Sequence, residues 1–178
     1  DEILNHLIEI NFLEKLQHIK AFVFDVDGVF TNNQLIATES GDLMRSFNAK
    51  DGFALKTAIE RGFTTCIITG GTSAAVHKRF ELLGVQHNYY RVSDKVKVLT
   101  EFLTAENISA ENVLYIGDDI PDFYAMRLCG LKCCPKDAVP EIQTIADYIC
   151  NRNGGDACVR EVIEMVLKAQ EKWFLLNE

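Results

Sequence analysis

Short apolar runs that stop abruptly on a polar residue constrain this chain most. Ala21-Phe22-Val23-Phe24 stops at Asp25, Thr65-Cys66-Ile67-Ile68 at Thr69, and Val113-Leu114-Tyr115-Ile116 at Gly117-Asp118. Such runs read as strands buried on both faces. Strands of that kind belong to parallel sheets, which need helices on either side. Helical patterns do lie between the runs, over residues 51–61, 72–83, 94–106, 121–129, 139–146 and 157–174. The first, second and fourth of these are followed by Gly62, Gly84 and Gly130, which are good stop signals. Residues 85–92, 131–134 and 148–150 supply further strands, and 109–111 a turn. The expected fold is α/β: a Rossmann-like parallel sheet with helices on both faces.

Two segments stand outside that alternation. Residues 1–20 read as an amphipathic helix with Ile3, Leu4, Leu7, Ile8, Phe12 and Leu16 on one side. Residues 34–38 and 43–47 are strand-like around the turn Glu39-Ser40-Gly41-Asp42, a β-hairpin inserted after the first strand.

The 178 residues fit one domain able to bury a substantial core. A formal net charge of -8, with no dominant basic patch, argues against nucleic acid as a partner. An acidic chain that handles an anionic substrate needs local cations, so a metal is expected at its site. The six cysteines are even in number, but the chain is too large and core-rich to need a disulfide framework, and adjacent Cys133-Cys134 is not a zinc spacing. Reduced, buried thiols are expected. Residues 1–20 lack a basic n-region and an uninterrupted apolar h-region, so they do not read as a signal peptide. No apolar run approaches the roughly 18 residues of a membrane span. The expectation is a soluble, cytoplasmic protein without a membrane partner.

In an open parallel sheet the site lies beyond the carboxyl ends of the strands. Asp25, Thr69, Lys95 and Asp118 all fall there, each from a different strand–helix unit. In Asp25-Val26-Asp27-Gly28 both carboxylates can reach one pocket, one as nucleophile and the other as proton shuttle. An isolated Asp-x-Asp-Gly is more often a solvated loop; it is the other strand ends that give it weight. Gly117-Asp118-Asp119-Ile120-Pro121-Asp122 adds three more acids. That many carboxylates repel unless a cation sits among them, and a hard, oxygen-seeking ion such as Mg²⁺ suits both them and phosphate chemistry. Asp119 doubles as a helix cap, with Pro121 well placed in a first turn. Thr69-Gly70-Gly71-Thr72 offers amides and a hydroxyl at a helix start, an anion seat. Lys95, in Val92-Ser93-Asp94-Lys95, can neutralise a nucleophile and phosphoryl oxygens.

In this order the segments Asp25-Val26-Asp27-Gly28, Ile68-Thr69-Gly70, Lys95 and Gly117 to Asp122 resemble the haloacid dehalogenase superfamily of phosphatases. Between these segments there is no room for a cap domain, only the inserted hairpin, residues 32–48, which resembles the branch without a cap. Further stretches, among them Asn48-Ala49-Lys50-Asp51-Gly52, Cys134-Pro135-Lys136-Asp137 and Gly154-Gly155, resemble its phosphatases of 3-deoxy-D-manno-octulosonate 8-phosphate.

The resemblance implies a single phosphatase domain over 1–178, with an N-terminal helix at 1–18. It implies Asp25 as nucleophile and Asp27 as acid and base, with Lys95 beside them. Mg²⁺ would be held by Asp25, the Asp27 carbonyl and Asp118, with Asp119 and Asp122 supporting from behind. Thr69, Gly70, Gly71 and Lys95, with Thr31, would contact a small sugar phosphate. It also implies a homotetramer in which one hairpin covers a neighbour's site. A nine-carbon keto-sugar acid phosphate is the alternative substrate, and a non-catalytic oligomerisation module the alternative role. Relatives often carry arginine where this chain has Gly71, and again near Gly155. Arg45, Lys50, Lys78, Arg79 and Arg160 are the cations that could take over the sugar carboxylate.

Overall fold

The structure, a computed structural model, describes residues 1–174. Its centre is a six-stranded sheet. In spatial order the strands are β5 (His87–Tyr89), β4 (Thr64–Ile68), β1 (Ala21–Phe24), β6 (Val113–Ile116), β7 (Leu131–Cys134) and β8 (Tyr148–Ile149), and every pair is parallel. The central strand explains where the site falls. Phe24 is in register with Ile67 on one side and Ile116 on the other, so Asp25 emerges between the ends of two neighbours.

The apolar runs are apolar on both sides because each side meets a different layer. Phe22, Phe24, Ile67, Leu114 and Ile116 pack with α2 (Ala49–Glu60), α7 (Cys158–Ala169), Val76 and Phe80 of α3 (Ala74–Leu83) and the last turn of α1 (Glu2–His18). Val23, Cys66, Ile68, Val113 and Tyr115 pack with α4 (Lys95–Glu106), α5 (Phe123–Leu128) and α6 (Pro140–Ile145). Each large apolar side chain so enclosed contributes about 1.5–3 kcal/mol relative to exposure. All six cysteines are buried free thiols in these two layers, and Cys158 Sγ donates to the Val29 carbonyl at 3.2 Å.

Several expectations need correction. The hairpin strands, β2 (Ile36–Ala37) and β3 (Leu43–Met44), are two residues long, antiparallel, and paired only with each other. Ile36 and Met44 are exposed, so no packed face extends the ladder. The closing helix ends at Ala169, where Gln170 and left-handed Glu171 (φ 56°) turn the chain. The apolar side of α1 is not buried: Ile3, Leu4, Leu7 and Ile8 are all at least 56% exposed, and only Leu16 is enclosed. The reason is reach. Only the second half of α1 meets the domain: Phe12 stacks on Tyr148 with ring centroids 5.9 Å apart, and Gln170 Nε2 donates to the Leu16 and Ile19 carbonyls at 2.8 and 3.0 Å. No helix among the described residues is long and apolar enough to cross a membrane.

Candidate active site

At the carboxyl edge of the sheet a cleft of about 340 Å³ is lined by Asp25, Asp27, Asn33, Thr69, Gly70, Gly71, Val92, Ser93, Lys95, Asp118, Asp119 and Pro121. Asp25 continues β1, with its amide bonded to the Ile116 carbonyl (3.1 Å) and its own Oδ1 accepting from the Val26 amide (2.7 Å). The chain then turns through Gly28, which has φ +83°, a left-handed conformation that glycine adopts without strain. A Cβ there would collide with Asp118 Oδ2 and Asn33 Nδ2, so the turn lies directly against the second acidic strand end.

Lys95 opens α4 but points inward and is 6% exposed. Its Nζ lies 3.2 Å from Asp25 Oδ1 and 2.7 Å from Asp122 Oδ1. Asp122 is wholly enclosed: Oδ1 also accepts from the Tyr115 hydroxyl at 2.8 Å, and Oδ2 from the Asp118 amide at 3.3 Å. Every one of these bonds is aimed at a charge, the kind that is strongest when water is excluded. Burial pulls the Lys95 ammonium down, but Asp122 and Asp25 outweigh it and hold the group above its ordinary value. Burial, then Asp122, pushes the Asp25 carboxyl well up, with Lys95 opposing. Asp118 is pushed up to about 6, chiefly by burial, against the Asn33 hydrogen bond (2.8 Å) that favours its charge.

Carboxylate oxygens of Asp25, Asp118 and Asp122 lie within 4.8 Å of one another. When all are ionised, three negative charges face the single ammonium of Lys95, leaving a formal charge of −2. An all-oxygen cluster with that surplus fits Mg²⁺. Both oxygens of Asp122 are already occupied by its neighbours. Among the described bonds, Asp25 Oδ2 and Asp118 Oδ1 accept nothing, which makes Asp25 and Asp118 the side chains able to hold the ion.

The other expected residues divide. Thr69 is 2% exposed; its amide is bonded to the Tyr89 carbonyl at 3.0 Å, and its Oγ1 accepts from the Gly71 amide at 3.4 Å. The helix itself starts later than expected, at Ala74, with Ser73 capping Val76 (3.2 Å), so residues 69–72 form a loop before the helix rather than its first turn. Gly70 and Gly71 line the cleft within that loop. Asp119 is exposed at the rim and caps the Ile120 amide at 2.7 Å. Thr31 is not brought to the cleft: it is 0% exposed, and its hydroxyl accepts from the Gly28 and Asn33 amides at 3.2 and 3.4 Å, closing the turn. Asp27 lines the same cleft but is not among the three clustered acids; its carboxylate pairs with Arg45 of the hairpin.

Asn33 and Tyr115 were not singled out from the sequence, although each bonds a site carboxylate. Of the remaining cations considered for the sugar carboxylate, Arg79 lies against Gly52, and Lys50 and Arg160 line a separate cleft of about 250 Å³. Lys78 pairs with Glu81 at 3.3 Å on the surface of α3.

Known proteins resemble this chain in sequence and in fold. The haloacid dehalogenase-like hydrolase family matches residues 89–163. The 3-deoxy-D-manno-octulosonate 8-phosphate phosphatase KdsC of Salmonella typhi is 33% identical over 93% of this chain and 88% of its own length. The crystal structure of the phosphatase of that name from Moraxella catarrhalis, in complex with magnesium ion, phosphate ion and KDO, aligns at a TM-score of 0.87 with 35% identity, covering 89% of this chain and 91% of that one. Its counterpart from Yersinia pestis aligns at 0.89 with 32% identity, over 91% and 88% of the two chains.

Proposed function

The chain belongs to the haloacid dehalogenase-like hydrolases, and on that premise we propose that it hydrolyses 3-deoxy-D-manno-octulosonate 8-phosphate by way of a phospho-aspartate on Asp25. It is a Mg²⁺-dependent phosphoric monoester hydrolase that supplies a lipopolysaccharide precursor. The observation that carries the assignment of residues is the buried Asp25–Lys95–Asp122 chain beside Asp118, at the edge where the strands end.

Asp25 attacks phosphorus through one of its carboxylate oxygens, in line with the bond to the sugar oxygen. Lys95 and the Thr69 hydroxyl, with the Gly70 amide, hold the phosphoryl oxygens and spread their charge. Asp27 gives a proton to the departing sugar oxygen, so the leaving group is an alcohol rather than an alkoxide. The same carboxylate then takes a proton from the water that attacks the phospho-aspartate, which regenerates Asp25 and releases phosphate. Asp25, Asp118 and the Asp27 carbonyl would hold Mg²⁺, which would supply the positive charge that a dianionic ester needs to approach these acids. Asp122 and Asp119 touch no substrate: Asp122 fixes Lys95, and Asp119 caps the turn that follows Asp118.

Residues 1–178 act as one cytoplasmic phosphatase domain that assembles as a homotetramer, with no nucleic acid or membrane partner. The exposed apolar side chains of the hairpin, Leu35, Ile36, Leu43 and Met44, support self-association. Phosphate release in Mg²⁺, compared between the eight-carbon ester and a nine-carbon keto-sugar acid phosphate, tests the substrate. The expected result is a kcat/KM at least about tenfold higher on the eight-carbon ester. A preference for the longer sugar would overturn the assignment while leaving the chemistry intact.

A further inference from the structure

The carboxylate assigned to proton transfer is not free. Arg45 Nε donates to Asp27 Oδ1 at 2.6 Å, and Arg45 Nη2 donates to Oδ2 at 3.2 Å. Both oxygens are therefore taken by one guanidinium, the two-pronged geometry that makes arginine–carboxylate pairs strong and directional. Arg45 follows β3, and its Nη1 is anchored to the Leu43 carbonyl at 3.1 Å. Leu43 and Met44 beside it stand exposed, whereas the Arg45 side chain is covered and turned towards Asp27, which lines the cleft.

The loop opposite is shaped for this pair. A Cβ on Gly71 would sit 2.9 Å from Asp27 Oδ2 and 3.0 Å from Arg45 Nη2. The ion pair thus lies flat on the bare backbone of Gly71, and any larger residue would push one partner aside.

We propose that Arg45 determines specificity by holding Asp27 out of the reaction until a carboxylate on the substrate takes over the guanidinium. The inference rests on the phosphatase reading and on Asp27 as its acid and base. With both oxygens bonded to Arg45, Asp27 can neither present a proton to the leaving oxygen nor accept one from water. Opening the pair leaves a guanidinium without its acceptor. A sugar acid phosphate supplies a replacement carboxylate, so one arginine–carboxylate pair is exchanged for another. A neutral sugar phosphate supplies none, and must bear the whole cost of breaking the pair. Discrimination then arises at the step that frees Asp27, in addition to binding.

Steady-state kinetics of the full chain in Mg²⁺ test this, with 3-deoxy-D-manno-octulosonate 8-phosphate and a neutral pentose 5-phosphate as the two substrates. Arg45→Ala should move them in opposite directions. The expected changes are a fall of roughly ten- to a hundredfold in kcat/KM for the sugar acid and a rise of roughly tenfold in kcat for the neutral ester. Arg45→Lys, which keeps the charge but not the two-pronged contact, should fall between; it also serves if the alanine variant folds poorly by circular dichroism. A fall on both substrates, or no change on the neutral one, overturns the proposal while wild-type turnover leaves the phosphatase reading standing. If the wild type hydrolyses neither ester, the reading fails and this proposal falls with it.

Discussion

The floor and the mouth of the cleft are built in opposite ways. On the floor, Asp25, Lys95, Asp118 and Asp122 are at most 8% exposed and hang from strand ends or a helix start that the whole sheet holds in place. At the mouth, Arg45 follows a strand of two residues, and the hairpin bonds to no strand of the main sheet. Moving a floor residue means disturbing packed layers on both faces of the sheet. Moving a mouth residue means reshaping a solvated ribbon. The contrast teaches where such a protein can change: the phosphoryl chemistry is fixed by the core, while the choice of leaving group rests on a segment whose alteration barely touches stability.

The sharpest way to break this contrast is at its deepest point. Asp25→Asn should lower kcat on every phosphate ester by about 10⁴-fold or more, since the nucleophile is lost whatever the leaving group. Full activity in a phosphate-release assay would remove Asp25 from its role, and a loss confined to one substrate would move the boundary between floor and mouth.

An effect of intermediate size comes from pH. Asp118 is pushed from 3.8 up to about 6, chiefly by burial. The folded chain without metal therefore holds this proton more tightly than the unfolded chain. Its contribution to stability is full below 3.8 and is lost as pH rises through about 6. Mg²⁺ competes for the same oxygens, so binding it releases the proton. Half-saturation by Mg²⁺, read from activity, should need about tenfold more metal at pH 5 than at pH 7. An affinity that is flat across that range would mean that Asp118 is not a ligand. Chelation by EDTA should abolish turnover, and added Mg²⁺ should restore it.

The smallest effect belongs to the mouth. Replacing Ile36 and Met44 by serine should change the stability of the isolated chain by no more than about 0.5 kcal/mol per site, as surface positions do. Light scattering should show weaker self-association in the same variant. A large drop in melting temperature without a change of assembly would mean that the hairpin is part of the core after all.

The same division governs what the sequence discloses. Strands buried on both faces announce themselves, and an acid or threonine at their carboxyl ends marks the floor before any fold is drawn. Tyr115 is different. It lies inside the apolar run Val113-Leu114-Tyr115-Ile116 and looks like any core aromatic until the helix after β6 delivers Asp122 to its hydroxyl. Asn33, in an ordinary polar turn, becomes meaningful only once Gly28 brings Asp118 within reach. Thr31 misled for a related reason: hydroxyls near an active-site turn close turns as readily as they bind substrates. In α1 the expected one-sided pattern does not hold: apolar residues are spread around the helix, and only Phe12 and Leu16, towards its attached end, pack against the domain.

The sealed thiols have a practical consequence. Burial drives Cys129 and Cys134 up to about 12 and carries the other four higher still or well above the ordinary thiol range, so none is an accessible nucleophile at neutral pH. Cys158, tied to the Val29 carbonyl just past the Asp25 turn, becomes reachable by an alkylating reagent only when α7 lifts away. Its labelling rate is thus a native clock for local opening behind the nucleophile, readable without adding any probe to the protein.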